Sequence, residues 1–184
     1  MSQSGGEFDQ NRNDFDILLN AVKASGLAFA QNNRDENITL IAPTDRAFIR
    51  LANDFGYTGG DEKGAFEVIV AALTELGSDG PIPTLTNVLL YHVTPESKTL
   101  KEITDAETVD TLLADASLSS FGVFLIDGAP QLREPALLAG SSNIGATKGI
   151  VHTINRVLIP LYLAPVSRPC YCIKFRPRTA SLLL

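Results

Sequence analysis

Two histidines, two cysteines and a set of carboxylates are the groups in this 184-residue chain whose chemistry reaches beyond packing. His92 lies in the run Leu89-Leu90-Tyr91-His92-Val93-Thr94-Pro95, and His152 in Gly149-Ile150-Val151-His152-Thr153-Ile154. A protein zinc site needs three or four ligands, commonly with two histidines at H-x-x-x-H or H-E-x-x-H spacing. Neither spacing occurs, and a pairing of His92 with His152 lacks a third ligand, so no metal is expected. Acyl transfer by a serine calls for a G-x-S-x-G elbow between strand and helix, and Ala139-Gly140-Ser141-Ser142-Asn143-Ile144-Gly145 has neither the motif nor that context. Cys170 and Cys172 stand as C-x-C with no histidine near them in sequence, too close for a relaxed disulfide and too few for a metal. The glycine-rich stretches near Gly56–Gly60 and Gly77–Gly80 lack the lysine of a phosphate-binding loop. Gly59-Gly60-Asp61-Glu62-Lys63-Gly64 is the acidic stretch nearest to a calcium loop, but it lacks the alternating oxygen ligands and the distant glutamate. The reading is a chain without catalytic residues, without cofactor and without metal.

The elements that must hold these residues follow from periodicity. From Asp14, Ile17, Leu18, Ala21, Val22, Ala24 and Leu27 recur at helical spacing, with Asp14 or Asp16 suited to the N-terminal end. Ile38 to Ala42 reads as a short buried strand. After Pro43 a helix opens with Thr44 as N-cap and Asp45 in its first turn, presents Ala47, Phe48, Leu51 and Phe55, and stops near Gly56. Asp45 is read as serving a helix N-terminus and not a cation. Residues 65–77 form a third helix, residues 78–84 a loop, and Leu85–Val93 a short helix leading into a strand that holds Tyr91 and His92. Beyond Pro95 come short segments with β-type residues and turn punctuation: 98–103, 107–113, 122–128, 130–134, 143–147 and 149–160. Helices first and strands later point to an α+β domain with a largely antiparallel sheet.

Composition sets the outer limits. With 45% hydrophobic and 20% charged residues the chain suits one domain with a substantial core. No apolar run approaches the roughly 20 residues of a membrane span, so no membrane insertion is expected. Four of the 15 basic residues and none of the 21 acidic ones lie in 161–184, which leaves the body strongly acidic and a poor partner for nucleic acid. Residues 1–13 read as a disordered N-terminal segment with no apolar signal region, which fits a cytosolic chain or a piece of a larger exported protein. Residues 161–184 read as a tail: a linker, a natural extension or vector-derived sequence.

Three blocks carry a family resemblance. Ile38–Phe48, "ITLIAPTDRAF", resembles the first signature block of fasciclin-like domains, also called FAS1 or βig-h3 domains. Leu85–Val93, "LTNVLLYHV", resembles the central leucine-tyrosine-histidine block. Asn143–Pro160, "NIGATKGIVHTINRVLIP", resembles the closing block, where a glycine precedes an aliphatic run around a histidine. The resemblance covers residues 14–160, and the long 56–84 connection is similar to the bacterial branch.

The resemblance implies a wedge-shaped β-sandwich with several helices packed at one end. It also implies a non-enzymatic role in cell adhesion, with a protein or glycan partner at the cell surface or in the matrix. The adhesive role assigned in some members carries over here to Leu89, Leu90, Tyr91, His92 and Val93. Beside it stands a plainer reading of the same residues. A regular strand cannot expose both Tyr91 and His92, so at least one is inside and bonded to backbone or hydroxyl groups near the first block. His152, in an alternating strand, reads as a satisfied core histidine, and Thr44, Asp45 and His152 as parts of the structural motif. Two rivals remain: a structural spacer in an exported protein, and a small-molecule-binding or hydrolytic domain in which His92, Asp45 and a serine would converge.

Overall fold

Aliphatic residues alternating along Ile38–Pro43 build the strand around which everything else is arranged. The structure, a computed structural model, describes residues 6–27, 37–76, 80–147 and 149–160. In chain order the elements are α1 (Asp16–Ser25), β1 (Ile38–Pro43), α2 (Asp45–Asp54), α3 (Glu62–Leu76), α4 (Pro81–Tyr91), β2 (Val93–Pro95), α5 (Leu100–Asp105), β3 (Thr108–Asp110), β4 (Ser117–Phe121), β5 (Phe124–Ile126), β6 (Ile144–Ala146) and β7 (Gly149–Ile154). A single 3-10 turn, Ala139–Ser141, precedes β6. The tail 161–184, with Cys170 and Cys172, and residues 1–5 lie outside the described residues.

Two sheets form. One has the order β2-β1-β7-β6, with β1 antiparallel to β2 and parallel to β7, and β6 antiparallel to β7. The other is the antiparallel meander β3-β4-β5. Because successive strand residues point to opposite faces, β1 feeds two cores. Leu40 and Ala42 pack with Ile17, Phe48, Leu51, Ile69, Leu85 and Leu89 on the helical side. Ile41 packs with Ile103, Val109, Leu118, Leu125, Ile154 and Leu158 between the sheets. The result is the α+β wedge: a central sheet with α1–α4 on one face and the small sheet on the other. The β1–β7 pairing starts at Ile38 opposite Gly149, where φ is 137°. A Cβ there would lie 1.7 Å from the Ile38 carbonyl oxygen, so only glycine allows the strands to meet.

Several local readings are corrected. Pro81 and Pro83 do not sit in a loop, because Pro81 occupies the first position of α4, where its missing N–H costs nothing. Tyr91 and His92 are not strand residues: Tyr91 ends α4, His92 is its C-cap, and β2 begins only at Val93. Residues 98–103 contribute a helix start, not a strand. Thr99 and Glu102 form a capping box, and Asn143 Oδ1 accepts the Leu100 N–H at 2.8 Å, satisfying two donors of the first turn. Residues 130–134 form a turn and irregular chain, while β4, unmarked by strong hydrophobicity, supplies the middle of the small sheet. Residues 6–13, read as disordered, lie against the body. Phe8 packs on Phe66 with ring centroids 5.9 Å apart, and the Asp9 N–H donates to Glu62 Oε2 at 2.8 Å.

Candidate functional site

The α4–β2 joint is a pinned hinge point of the backbone. Thr84, Leu85, Val88 and Leu89 form the buried stripe of α4, which carries Tyr91 and His92 into the interior at its end. Leu158 N–H donates to His92 Nε2 at 3.0 Å, so that nitrogen bears no proton. Nδ1–H therefore donates to the Val88 carbonyl at 2.7 Å. The His92 carbonyl in turn accepts the Ile41 N–H at 2.8 Å. One residue thus ties α4, β1 and the segment Val157–Pro160 together, with both ring nitrogens occupied. Burial pushes its pKa down to about 4, which keeps the ring neutral. Tyr91 donates its hydroxyl to the Ser117 carbonyl at 3.1 Å and so bridges α4 to β4, and burial pushes its pKa up to about 12. Of the five residues Leu89–Val93, only Leu90 is partly exposed; Leu89, Tyr91, His92 and Val93 are buried.

His152 is equally committed, with the opposite tautomer. Asn143 N–H donates to its Nδ1 at 3.2 Å, and Nε2–H donates to the Lys98 carbonyl at 2.8 Å. It holds the start of β6 and the approach to α5 against β7.

Asp45 serves a helix N-terminus, though not its own. Thr44 stands at the N-cap of α2 without a side-chain bond to it. The Asp45 carboxylate instead accepts the N–H groups of Asp16 (3.1 Å) and Ile17 (2.8 Å), the first turn of α1, whose own N-cap Phe15 has no acceptor to offer. Asp45 N–H and Arg46 N–H donate back to the carbonyls of Asp14 and Arg12 at 3.0 and 2.9 Å. Burial first, and contact with Asp14 second, push the Asp45 pKa up to about 8, against the opposing pull of the two backbone N–H groups. His92, Asp45 and a serine therefore form no reacting constellation, since each of the first two is held by backbone partners on different elements. An open depression of about 560 Å³ at the end of β1 and β2 is lined by Asn37, Ile38, Pro95, Glu96, Ser97 and Leu112, and brings no acid–base pair together.

The small sheet presents an apolar surface. Its inner face carries Val109, Leu118 and Leu125, all buried. On the outer face Phe121 stands opposite Phe124, and Ile126 opposite Ser119. Phe121 is 76% exposed, Phe124 48% and Ile126 45%. Thr108, Asp110, Ser117 and Ser119 continue the same face as a polar margin.

The family model for the fasciclin domain matches residues 13–160. The chain belongs to the fasciclin-domain family. Its fold is similar to the FAS1 domain pair of the insect cell adhesion molecule Fasciclin I, with a TM-score of 0.54 at 15% sequence identity. The alignment covers 81% of this chain and 48% of that one, so the chain spans about half the length of the pair. No curated protein matches the sequence.

Three features of this fasciclin domain escaped sequence reasoning. Asp127 accepts the N–H groups of Ala129 and Ile159 at 2.9 and 2.8 Å, so it and His92 hold consecutive N–H groups of the closing Val157–Pro160 segment. Its signal was the Asp-Gly pair after an apolar run, which favours an Asx turn. Asn143, just before β6, accepts the Leu100 N–H of α5 and donates its own N–H to His152 on β7, with φ at 58°, a conformation asparagine tolerates better than most. Phe121 and Phe124 carried no signal beyond the Gly122 turn between them, because exposure is not written in a short strand.

Proposed function

We propose that this fasciclin domain is a non-enzymatic interaction module of a cell-surface or exported protein, meeting a protein or glycan partner through the outer face of β3-β4-β5. The observation that carries the reading is the exposed Phe121–Phe124 pair with Ile126 beside it. Exposed aromatics inside a polar margin match the anatomy of binding interfaces, where a few aromatic anchors supply most of the affinity. The occupied nitrogens of His92 and His152 favour binding over catalysis, since a general base needs a free nitrogen within reach of a substrate.

In this reading Leu89, Tyr91, His92 and Val93 support attachment from within, by fixing the frame on which the small sheet rests. Leu90 is the residue of that block with a side chain at the surface. The test is attachment of cells or matrix to the immobilised domain, comparing the unaltered chain with a Phe121→Ser, Phe124→Ser double variant. Loss of attachment with unchanged unfolding supports the outer face. Undiminished attachment removes it, and no attachment by the unaltered chain leaves a structural spacer.

A further inference from the structure

Three helices begin at one place. Asp16, Asp45 and Glu62 are the first residues of α1, α2 and α3, and Asp14 and Asp9 join them from the N-terminal segment. Each helix N-terminus contributes roughly half a positive charge, about 1.5 in all, which falls short of the carboxylates of Asp9, Asp14, Asp16 and Glu62 even with Asp45 held protonated. None of the ion pairs among the described residues involves Asp9, Asp14 or Glu62.

Two further observations separate this junction from ordinary helix capping. Asp9, Asp14 and Glu62 each bring a carboxylate oxygen within 4.8 Å of the other two. That spacing is about twice a calcium–oxygen distance, so one ion would touch all three. Within the same triad, Asp14 Oδ1 and Glu62 Oε1 are buried and find no hydrogen-bond donor among the described residues. Asp14 is 8% exposed and Glu62 1%. An orphaned carboxylate oxygen in the interior is costly unless a proton or a cation meets it. The second oxygens are already in use: Asn11 Nδ2 donates to Asp14 Oδ2 at 3.1 Å, and Asp9 N–H to Glu62 Oε2 at 2.8 Å. Those bonds orient the free oxygens.

We propose that Asp9, Asp14 and Glu62 form a divalent-cation site that takes calcium. The donors are all hard oxygens, which excludes metals that need nitrogen or sulfur. Asp9 is exposed and sits on a turn, giving the ion an entry path and a site that adapts to calcium's variable coordination. Magnesium, which demands a strict octahedron and dehydrates reluctantly, fits such a site less well. Asp45 is the neighbouring acid whose oxygens the α1 N–H groups already hold, so it is not a ligand. A bound ion would tie the N-terminal segment, through Asp9, to α1 and α3.

The site takes residues from two distant parts of the chain, and for that reason it has no loop motif. It depends on neither the adhesive reading nor the outer face of β3-β4-β5. Calorimetric titration of the chelator-treated full chain with calcium chloride tests it, with thermal unfolding in parallel. Saturable binding with a Kd on the order of 10⁻⁴–10⁻³ M, as for extracellular calcium modules, is expected, with a rise in Tm. Asp9→Asn keeps the turn bond to Asn11 and should fold, yet weaken calcium at least about tenfold by removing one ligand charge. Glu62→Gln should do the same. Absence of saturable heat and of any Tm change at about 10 mM calcium overturns the proposal. So does an Asp9→Asn variant that titrates like the unaltered chain. If Glu62→Gln fails to fold, Asp9→Asn decides alone.

Discussion

The α4–β2 joint and the outer face of β3-β4-β5 are opposites. The joint contains the residues a chemist notices first, a phenol and an imidazole, and every side-chain polar atom of Tyr91 and His92 has a backbone partner inside the domain. The outer face has phenylalanine, isoleucine, serine, threonine and one aspartate, Asp110, and it meets solvent. Polar side chains that enter a core are spent on holding it, because an unpaired donor or acceptor there costs more than a hydrogen bond gains. In the proposed function, recognition is left to ordinary residues that remain exposed.

Four experiments bear on this contrast. The largest effect is expected at His92→Ala. It strands the buried Leu158 N–H and opens a cavity, and should lower unfolding stability by about 4 kcal/mol in urea titration. A loss near zero would remove His92 from the frame.

The second experiment is a pH series. His92 titrates near 6.5 when unfolded and near 4 when folded. The unfolded chain therefore takes the proton first as pH falls. The stability that neutral His92 contributes is whole above pH 6.5 and drains away between 6.5 and 4, by about 3 kcal/mol. His92→Gln has no such group, so its deficit relative to the unaltered chain should shrink over that window. A deficit that stays constant from pH 7.5 to 4 contradicts the assignment.

Tyr91→Phe is the third and smaller case. It removes only the hydroxyl bond to Ser117 and should cost about 1 kcal/mol, leaving the acidic junction untouched. Smallest is the Phe121→Ser, Phe124→Ser pair, expected to change stability by no more than about 0.5 kcal/mol because neither ring belongs to either core. A large destabilisation there would make the outer face part of the scaffold and erase the contrast.

Much of the frame was readable because its signals are local. The Ile38–Ala42 run, the Pro-Thr-Asp turn after it and the stripe Ala47, Phe48, Leu51 are decided by alternation and capping over a few residues. Errors arose where a residue type has two meanings. Pro81 and Pro83 read as loop, yet proline is at home in a helix's first turn. Residues 98–103 read as strand, although Thr99-Leu100-Lys101-Glu102 has the spacing of a capping box and could have been found. Tyr91 and His92 read as strand residues because β-type residues follow them, whereas α4 continues to Tyr91. For the acidic junction the sequence showed isolated carboxylates at 9, 14, 16, 45 and 62 and no pattern joining them.

By itself the sequence determined the class, the family blocks, the central strand and the helix that follows it, since these rest on periodicity and on motifs contiguous along the chain. Only the tertiary structure decided that His92 faces Leu158 and not a partner, that Asp45 caps α1 and not α2, and that Phe121 stays in water. Those outcomes depend on which distant segments meet. Burial and hydrogen-bond partners are properties of that meeting, and no local spacing encodes them.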